Sequence, residues 1–455
     1  MTAPRGPAGL LRGLLARPLA SYHLLLASSG LLLVIGLTMV FSATSVEAYA
    51  TGGSAFAAIA EQASYALVGL AAFWFCQRLP VRTLRALALP LLLLAFAMQG
   101  ALAGVALLHS SGVIEEPQFG PVASNLQWLQ VGGLSVQPSE LAKLALVLWV
   151  ADLFARKDAR LGYWHELVRP LFPVAGLMLL LVGYHDLGTM LVLLVLLVGM
   201  MWAAGVRMRV FGLLAVLAGL GVALLVVAQL GYRLVRLTAF LDPNCDQMLE
   251  CYQAIQGRRA LADGGWFGVG LGSASYKWGW LPAGHNDFIF AVIGEELGVV
   301  GCLVVLALFA VLAYTGLRIA RRVGVGIPGS KRVPEADRFR RLVAAGVTTW
   351  LVGQTVINVG GVVGLLPITG LPLPFISAGG SALVVTLAAV GMLAAFARAE
   401  PAAARALHAR PPARWVQLVW APLPPLPKPK PPSKSKSPHK PKERASERSQ
   451  RTTSQ

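Results

Sequence analysis

Apolar runs of membrane-spanning length recur along almost the whole chain. A spanning helix needs about 20 mostly apolar residues. Ten stretches qualify, near residues 24–41, 60–77, 86–108, 137–155, 170–184, 187–205, 210–231, 287–316, 342–364 and 379–397. The fifth is short, and Gly183 to Gly188 interrupts the pattern before the sixth. Arg5, Arg12 and Arg17 precede the first run as they would in a signal peptide. Its apolar stretch exceeds the ~7–15 residues of a signal core, so it reads as an uncleaved first span. Composition agrees: AVILMFWYC supply 56% of 455 residues and DEKR only 13%, against roughly 25% charged in a soluble domain. So little charge cannot cover water-soluble domains of this size. The expected fold class is an all-α, polytopic membrane protein of about ten transmembrane helices.

Charge position then sets orientation. The chain carries 39 Lys+Arg against 21 Asp+Glu, net +18. With a cytoplasmic N-terminus, ten spans return the C-terminus to the cytoplasm. The inner segments 1–23, 78–85, 156–169, 206–209 and 317–341, and everything after the last span from Arg398 on, then hold 33 of the 39 basic residues. Arg233, Arg236, Arg258, Arg259 and Lys277 fall outside, and Lys143 lies within a span. This is the positive-inside bias. It accounts for the basicity without nucleic acid.

Three regions follow: a cytoplasmic segment 1–23, a transmembrane domain 24–398 and a tail 399–455. Twelve of the 29 prolines lie in the tail among Lys and Ser. Such a segment cannot bury a core and is expected to be disordered, near anionic headgroups or as a docking arm for a cytoplasmic partner. Two outer segments, 109–136 and 232–286, are too long for simple connectors. The second carries Gly264–Gly265–Trp266–Phe267–Gly268–Val269–Gly270–Leu271–Gly272 and Trp278–Gly279–Trp280. No strand precedes these glycines, so they do not read as a phosphate loop. They suit a re-entrant or surface-lying segment at the headgroup level. Cys245 and Cys251 share this loop and are candidates for a disulfide, while Cys76 and Cys302 read as packing residues.

Ionisable groups inside spans are rare and mark function. Glu140 and Lys143 open the fourth span three residues apart, on one helix face. Their plain reading is a local ion pair. Asp186 sits at the break between spans five and six, where it either binds substrate or satisfies backbone freed by the break. Asp287 opens span eight, and Glu295 and Glu296 lie deeper in it, suited to pair with Lys143 or another buried group. Position alone leaves Asp287 as either a helix cap or a catalytic carboxylate. Gln354 and Asn358 read as interhelical hydrogen-bond partners. Pro372 and Pro374 prevent regular helix after Gly370. No dedicated metal-ligand cluster is present in the sequence.

Four segments carry a resemblance: Gln137–Pro138–Ser139–Glu140–Leu141–Ala142–Lys143; Asp186–Leu187–Gly188–Thr189; the block from Tyr252 through Lys277–Trp278–Gly279 and His285–Asn286–Asp287–Phe288 to Gly294–Glu295–Glu296–Leu297–Gly298; and Gly364 through Pro374–Phe375–Ile376–Ser377–Ala378–Gly379–Gly380–Ser381. Over residues 22 to about 398 the chain resembles the SEDS family of bacterial cell-wall proteins, the FtsW, RodA and SpoVE group, and its long block is most similar to the FtsW branch. It departs from the common pattern at Gln127, Tyr184–His185, Ala283 and Ala378.

The resemblance implies a peptidoglycan glycosyltransferase that polymerises lipid II with inversion at the anomeric carbon, at the division septum of the bacterial cell membrane. It implies Asp287 as the catalytic base. The implied substrate-facing set is Trp128, Glu140, Lys143, Asp186, Arg258, Lys277, His285 and Ser377. Implied partners are lipid II and undecaprenyl diphosphate, a class B penicillin-binding protein transpeptidase, other division proteins and membrane lipids. A divalent cation such as Mg2+ would be held partly by the substrate diphosphate. A lipid II flippase and a non-catalytic division scaffold are the competing readings.

Overall fold

The computed structural model describes residues 13, 15–50, 55–113, 118–119, 122–125, 127–131, 134–157, 164–228, 251–282, 284–323 and 333–426. All ten expected spans are helices: α1 Ala20–Ala50, α2 Ala55–Cys76, α3 Val81–Ser110, α4 Pro138–Arg156, α5 Trp164–His185, α6 Leu187–Ala204, α7 Met208–Ala228, α9 Ile289–Arg322, α10 Glu335–Val363 and α11 Gly380–Arg398. A shorter α8, Tyr252–Asp263, lies in the second outer segment. Eight of these helices are long and apolar enough to cross a membrane by themselves. The chain is therefore a multi-pass helical membrane protein. Of the remaining two spans, α4 carries Glu140, Lys143, Asp152 and Arg156, and the qualifying apolar part of α7 is the shorter Met208–Gly221.

Burial explains how α4 tolerates its charges. It packs against α3 and α10, and α10 in turn packs against α6 and α9. Ala145, Leu146, Val147, Val150, Ala151 and Phe154 of α4 are all fully buried. Protein rather than lipid surrounds α4, so its polar groups can find partners. At one end of the bundle, Arg85 of α3 bridges Asp152 of α4 (2.6 Å) and Glu335 of α10 (2.5 Å). Two of the segments that the charge pattern assigns to the cytoplasm, 78–85 and 317–341, meet there at the end of α4.

The first outer segment contains an antiparallel meander that apolar periodicity did not reveal. Its strands are β1 Gln118–Phe119, β2 Val122–Asn125, β3 Trp128–Val131 and β4 Leu134–Val136, in sheet order β1-β2-β3-β4. Strands this short carry too few alternations to be read from a sequence.

Helix α9 is broken at Gly298, whose φ of 68° and ψ of −167° are outside the helical region. The glycine-rich outer loop fills the break. Val269 N donates to Glu295 O (2.9 Å) and Gly270 N to Glu296 O (3.1 Å), while Val299 N and Val300 N donate to Gly265 O and Trp266 O (3.0 and 3.2 Å). Backbone groups freed inside a membrane domain each cost several kcal/mol, about the scale of a lost hydrogen bond in hydrocarbon. The loop supplies the missing partners. Its glycines permit the approach: a side chain at Gly268 would collide with the Glu296 carbonyl.

The expectation of a tail without structure from residue 399 does not hold for its first part. Helices α12 Pro401–Ala409 and α13 Arg414–Val419 fold back under the bundle. The signal that was missed is aromatic rather than periodic: Trp420 supplies an anchor that the proline count obscures. Residues 427–455 lie outside the described residues.

Candidate functional site at the outer mouth of the bundle

Asp287 lies in the turn that enters α9 and is half-buried. The N-cap position itself falls on Phe288. The backbone around Asp287 is clamped from other elements. Asn358 of α10 donates through Nδ2 to Asp287 O (2.8 Å) and to Leu371 O (2.6 Å). Ser377 Oγ donates to Asn286 O (2.7 Å) and accepts from Leu373 N (2.7 Å). Ala378 N donates to His285 O (3.0 Å). Three consecutive carbonyls, 285 to 287, are thus fixed by α10 and the irregular segment 364–379.

That segment cannot be helix because of Pro372 and Pro374, as expected. Its turn holds Phe375 at a φ of 67°, the one positive-φ residue other than glycine among those described. A Cβ on Gly36 of α1 would collide with the Phe375 carbonyl, so α1 packs directly on this backbone. A small cleft opens beside Asp287, lined also by Asn358, Thr369 and Gly370. A Cβ at Gly370, whose φ is 70°, would stand 3.4 Å from Asp287 Oδ2. Glycine there leaves no side chain packed against Oδ2.

Beneath the cleft lies a closed polar network. Lys143 Nζ donates to Glu140 Oε1 (2.7 Å) and Gln354 Oε1 (2.8 Å) and stands 5.1 Å from the Trp350 ring. Trp350 Nε1 also donates to Gln354 Oε1 (2.8 Å), and Gln354 Nε2 donates to Pro372 O (2.7 Å). The expected local pair exists, and Gln354 extends it to the segment that clamps Asp287. Lys143 is fully buried, so its charge is neutralised here rather than offered to a ligand.

Lys277 is placed similarly. It is buried, 3.0 Å from Glu296 Oε1, and donates to Gly272 O (2.7 Å) and Ser42 Oγ (3.2 Å). Ser42 of α1 donates to Glu296 Oε1 (2.6 Å). Glu295 Oε1 accepts from the amides of Ser275 (2.5 Å) and Tyr276 (3.3 Å). Glu295 and Glu296 therefore secure the outer loop, Glu296 by pairing with Lys277 and not Lys143. Ser42 was not singled out in the sequence; its only signal is a hydroxyl in an apolar run.

Asp186 is the N-cap of α6. Its Oδ1 accepts from Thr189 N (2.9 Å) and its Oδ2 from Thr189 Oγ1 (2.5 Å). This matches the backbone-satisfying reading of that residue. Trp128 lies on β3, half-buried, opposite Asn125 of β2. Arg258 is exposed on α8, its Cδ 3.3 Å from where a Cβ on Gly364 would stand. Gly364 is the C-cap of α10, so this cation sits against a helix C-terminus,. Gly361 and Val362 of that terminus line the cleft, which makes Arg258 the exposed cation of the predicted set nearest to it in the fold. Cys251 is disulfide-bonded, and Cys76 and Cys302 are free thiols. Cys245, Arg233, Arg236 and Ala283 lie outside the described residues.

Among the described residues no group of three or more His, Cys, Asp and Glu is placed to hold a metal. Asp287 is the one carboxylate lining the cleft. The donor set does not fit a protein-held divalent cation. A second, larger cleft of about 1320 Å³ separates α5, α6 and α7, and its lining is apolar.

The architecture defines a polytopic helical membrane protein with one carboxylate presented beside a backbone-clamped outer cleft. Residues 22–401 match the family model described as cell cycle protein, the FtsW, RodA and SpoVE group, and the chain belongs to that family. A Mycobacterium tuberculosis protein named "probable peptidoglycan glycosyltransferase FtsW" is 41% identical over 413 residues, covering 90% of this chain and 74% of that protein. A Geobacter metallireducens protein of the same name is 36% identical over 359 residues, covering 79% and 89%. Among solved structures, a peptidoglycan synthase complex that coordinates polymerization and crosslinking matches with a TM-score of 0.59 at 26% identity, covering 82% of this chain and 96% of that one. The rod shape determining protein RodA of Thermus thermophilus matches with a TM-score of 0.51 at 26% identity, covering 83% and 96%.

Proposed function

We infer that this chain is a peptidoglycan glycosyltransferase that polymerises lipid II. The observation that carries the reading is the presentation of Asp287: a carboxylate at the top of a span, its backbone clamped by Asn358, with glycine opposite it at 370. In the reaction, a hydroxyl of the acceptor sugar attacks the anomeric carbon of the growing strand. The bond to the diphosphate breaks as the new glycosidic bond forms, and the configuration inverts. The hydroxyl proton must go to a base on the attacking side. On this reading Asp287 takes it.

The departing undecaprenyl diphosphate needs positive charge. Lys143 and Lys277 are committed to Glu140 and Glu296. The exposed Arg258 and its neighbour Arg259 remain as described candidates. Ser377 acts through its hydroxyl, and His285 accepts through its carbonyl; both shape the turn that carries Asp287. Any divalent cation would arrive with the diphosphate.

The flippase reading requires a polar route through the bundle. Lys143, Trp350, Phe154 and Leu146 close the described interior below the cleft, all of them fully buried. That favours chemistry at the outer surface over passage. The scaffold reading leaves the carboxylate beside the cleft without a role. Partnership with a class B transpeptidase, work at the division septum and cytoplasmic placement of both termini complete the proposal. The test is glycan-strand formation from lipid II by the purified full-length protein, with and without its transpeptidase. No polymer under either condition would remove the assignment.

A further inference from the structure

Residues 399–426 are fastened to the end of the bundle by a set of polar contacts. Trp74 Nε1 donates to Val419 O (2.5 Å), and Arg78 donates to Val419 O (3.0 Å) and Leu418 O (2.5 Å). Gln77 Nε2 donates to Trp420 O (3.2 Å). Trp420 Nε1 donates to the Tyr22 hydroxyl at the start of α1, and its ring lies 6.3 Å from that of Phe73. Arg398 donates to Ala421 O (3.3 Å), and Ala421 is fully buried. One side of α13 is thus fixed at the level where α2 ends.

Its other side is apolar and open. Trp415, Leu418 and Val419 stand at i, i+3 and i+4, share a face, and are 69%, 72% and 59% exposed. Water alone is a poor neighbour for such a face. Two observations say what covers it. First, the face continues the lipid-facing side of α2, where Leu67, Val68, Leu70 and Phe75 are exposed and the Arg78 guanidinium lies 4.6 Å from the Trp74 ring. Trp beside Arg at the end of a span marks the headgroup level. Second, Arg405, Arg410 and Arg414 are exposed on the same short helices. The sequence beyond residue 426 adds nine Lys and Arg against two Glu.

We propose that residues 399–426 form a foot on the membrane surface, with Trp415, Leu418 and Val419 seated in a layer of anionic phospholipid headgroups. The apolar side chains enter the headgroup–acyl boundary and the arginines meet the lipid phosphates. Contact with lipid does not depend on which leaflet is involved; the charge pattern assigns the inner one. The foot joins the start of α1, the end of α2 and the end of α11.

The test uses the full-length protein in nanodiscs, with Cys76 and Cys302 replaced by Ala and a single spin-labelled cysteine at Trp415 or Leu418. Both positions are exposed, so labelling leaves the packing intact. Collision with oxygen is compared with collision with a water-soluble nickel chelate, using a label at Leu70 as the lipid reference. In discs of phosphatidylcholine with phosphatidylglycerol, both labels should give ratios near that of Leu70. In pure phosphatidylcholine the ratios should fall about twofold or more. Ratios equal to that of free label in buffer in both discs would show a face left open for a protein partner, and the proposal fails. Equal ratios in the two disc types would remove anionic lipid as its partner.

Discussion

Asn358 Nδ2 donates to the backbone carbonyl of Asp287 across 71 positions of chain. It donates equally to Leu371, so one amide sets the distance between the proposed base and the irregular segment facing it. Asn358→Ala leaves both carbonyls without that donor, at a cost of about 1–3 kcal/mol each if they stay dry. The expected result is a lower melting temperature together with a loss of polymerisation larger than the stability loss explains. Asn358→Asp, which keeps the shape but replaces the donor with a carboxylate, should behave no better. Full activity in Asn358→Ala would show that the clamp is dispensable.

Asp287→Asn keeps the size of the side chain and removes its proton-accepting charge. If Asp287 is the base, the variant should insert and purify normally yet lose roughly 10²–10⁴ in rate, the range for positioned acid–base groups. The measurement is strand formation from lipid II at matched monodispersity. A near-wild-type rate would falsify the assignment.

Lys143 tests whether a buried charge is structural. Lys143→Met alone strands Glu140 in the core and should destabilise by about 3–5 kcal/mol. Adding Glu140→Gln should restore much of that, because the buried pair is then replaced as a unit. Thermal unfolding in detergent reads both. If Lys143 instead bound substrate, the single variant would keep its melting point and raise KM.

Much of the bundle was legible because a span is a long signal. Ten apolar runs became ten helices with ends near those expected, and Glu140 with Lys143 could be paired from spacing alone. The cleft was not legible, because what builds it is backbone. Ser377, Asn358 and Ala378 act on carbonyls, and no residue pattern reports which carbonyl a distant amide will reach. The burial of Lys277 was not legible for a related reason. Sequence put it in an outer loop, where a cation is normally solvated, but the loop folds down into the break of α9 and buries it against Glu296.

Lys277→Met is expected to act on that loop. With Glu296 left unpaired, the amides of Val269 and Gly270 should exchange hydrogen faster, a change measurable by mass spectrometry of the reconstituted protein. Lys277→Met with Glu296→Gln should recover protection. A Lys277→Met variant with unchanged exchange and a raised KM would mean that the lysine faces substrate.

Reporter fusions check the orientation. Those after Arg341 and at Gln455 should read cytoplasmic, and one near Gln253 should read outside. A cytoplasmic reading at Gln253 would place Asp287 on the wrong side of the membrane for wall synthesis.

The break at Gly298 also sets how high the chemistry stands. From Val299 to Gly316, where the basic inner segment begins, the lower piece of α9 is helical and rises about 27 Å at 1.5 Å per residue. That nearly matches a hydrocarbon core of about 30 Å. Most of the upper piece, from Ile289 to the break, therefore lies beyond what crossing the bilayer needs. On the proposed function it would serve as a pedestal, lifting Asp287 to the plane where an isoprenoid diphosphate meets its sugars, with the lipid tail below and the growing polysaccharide in water above.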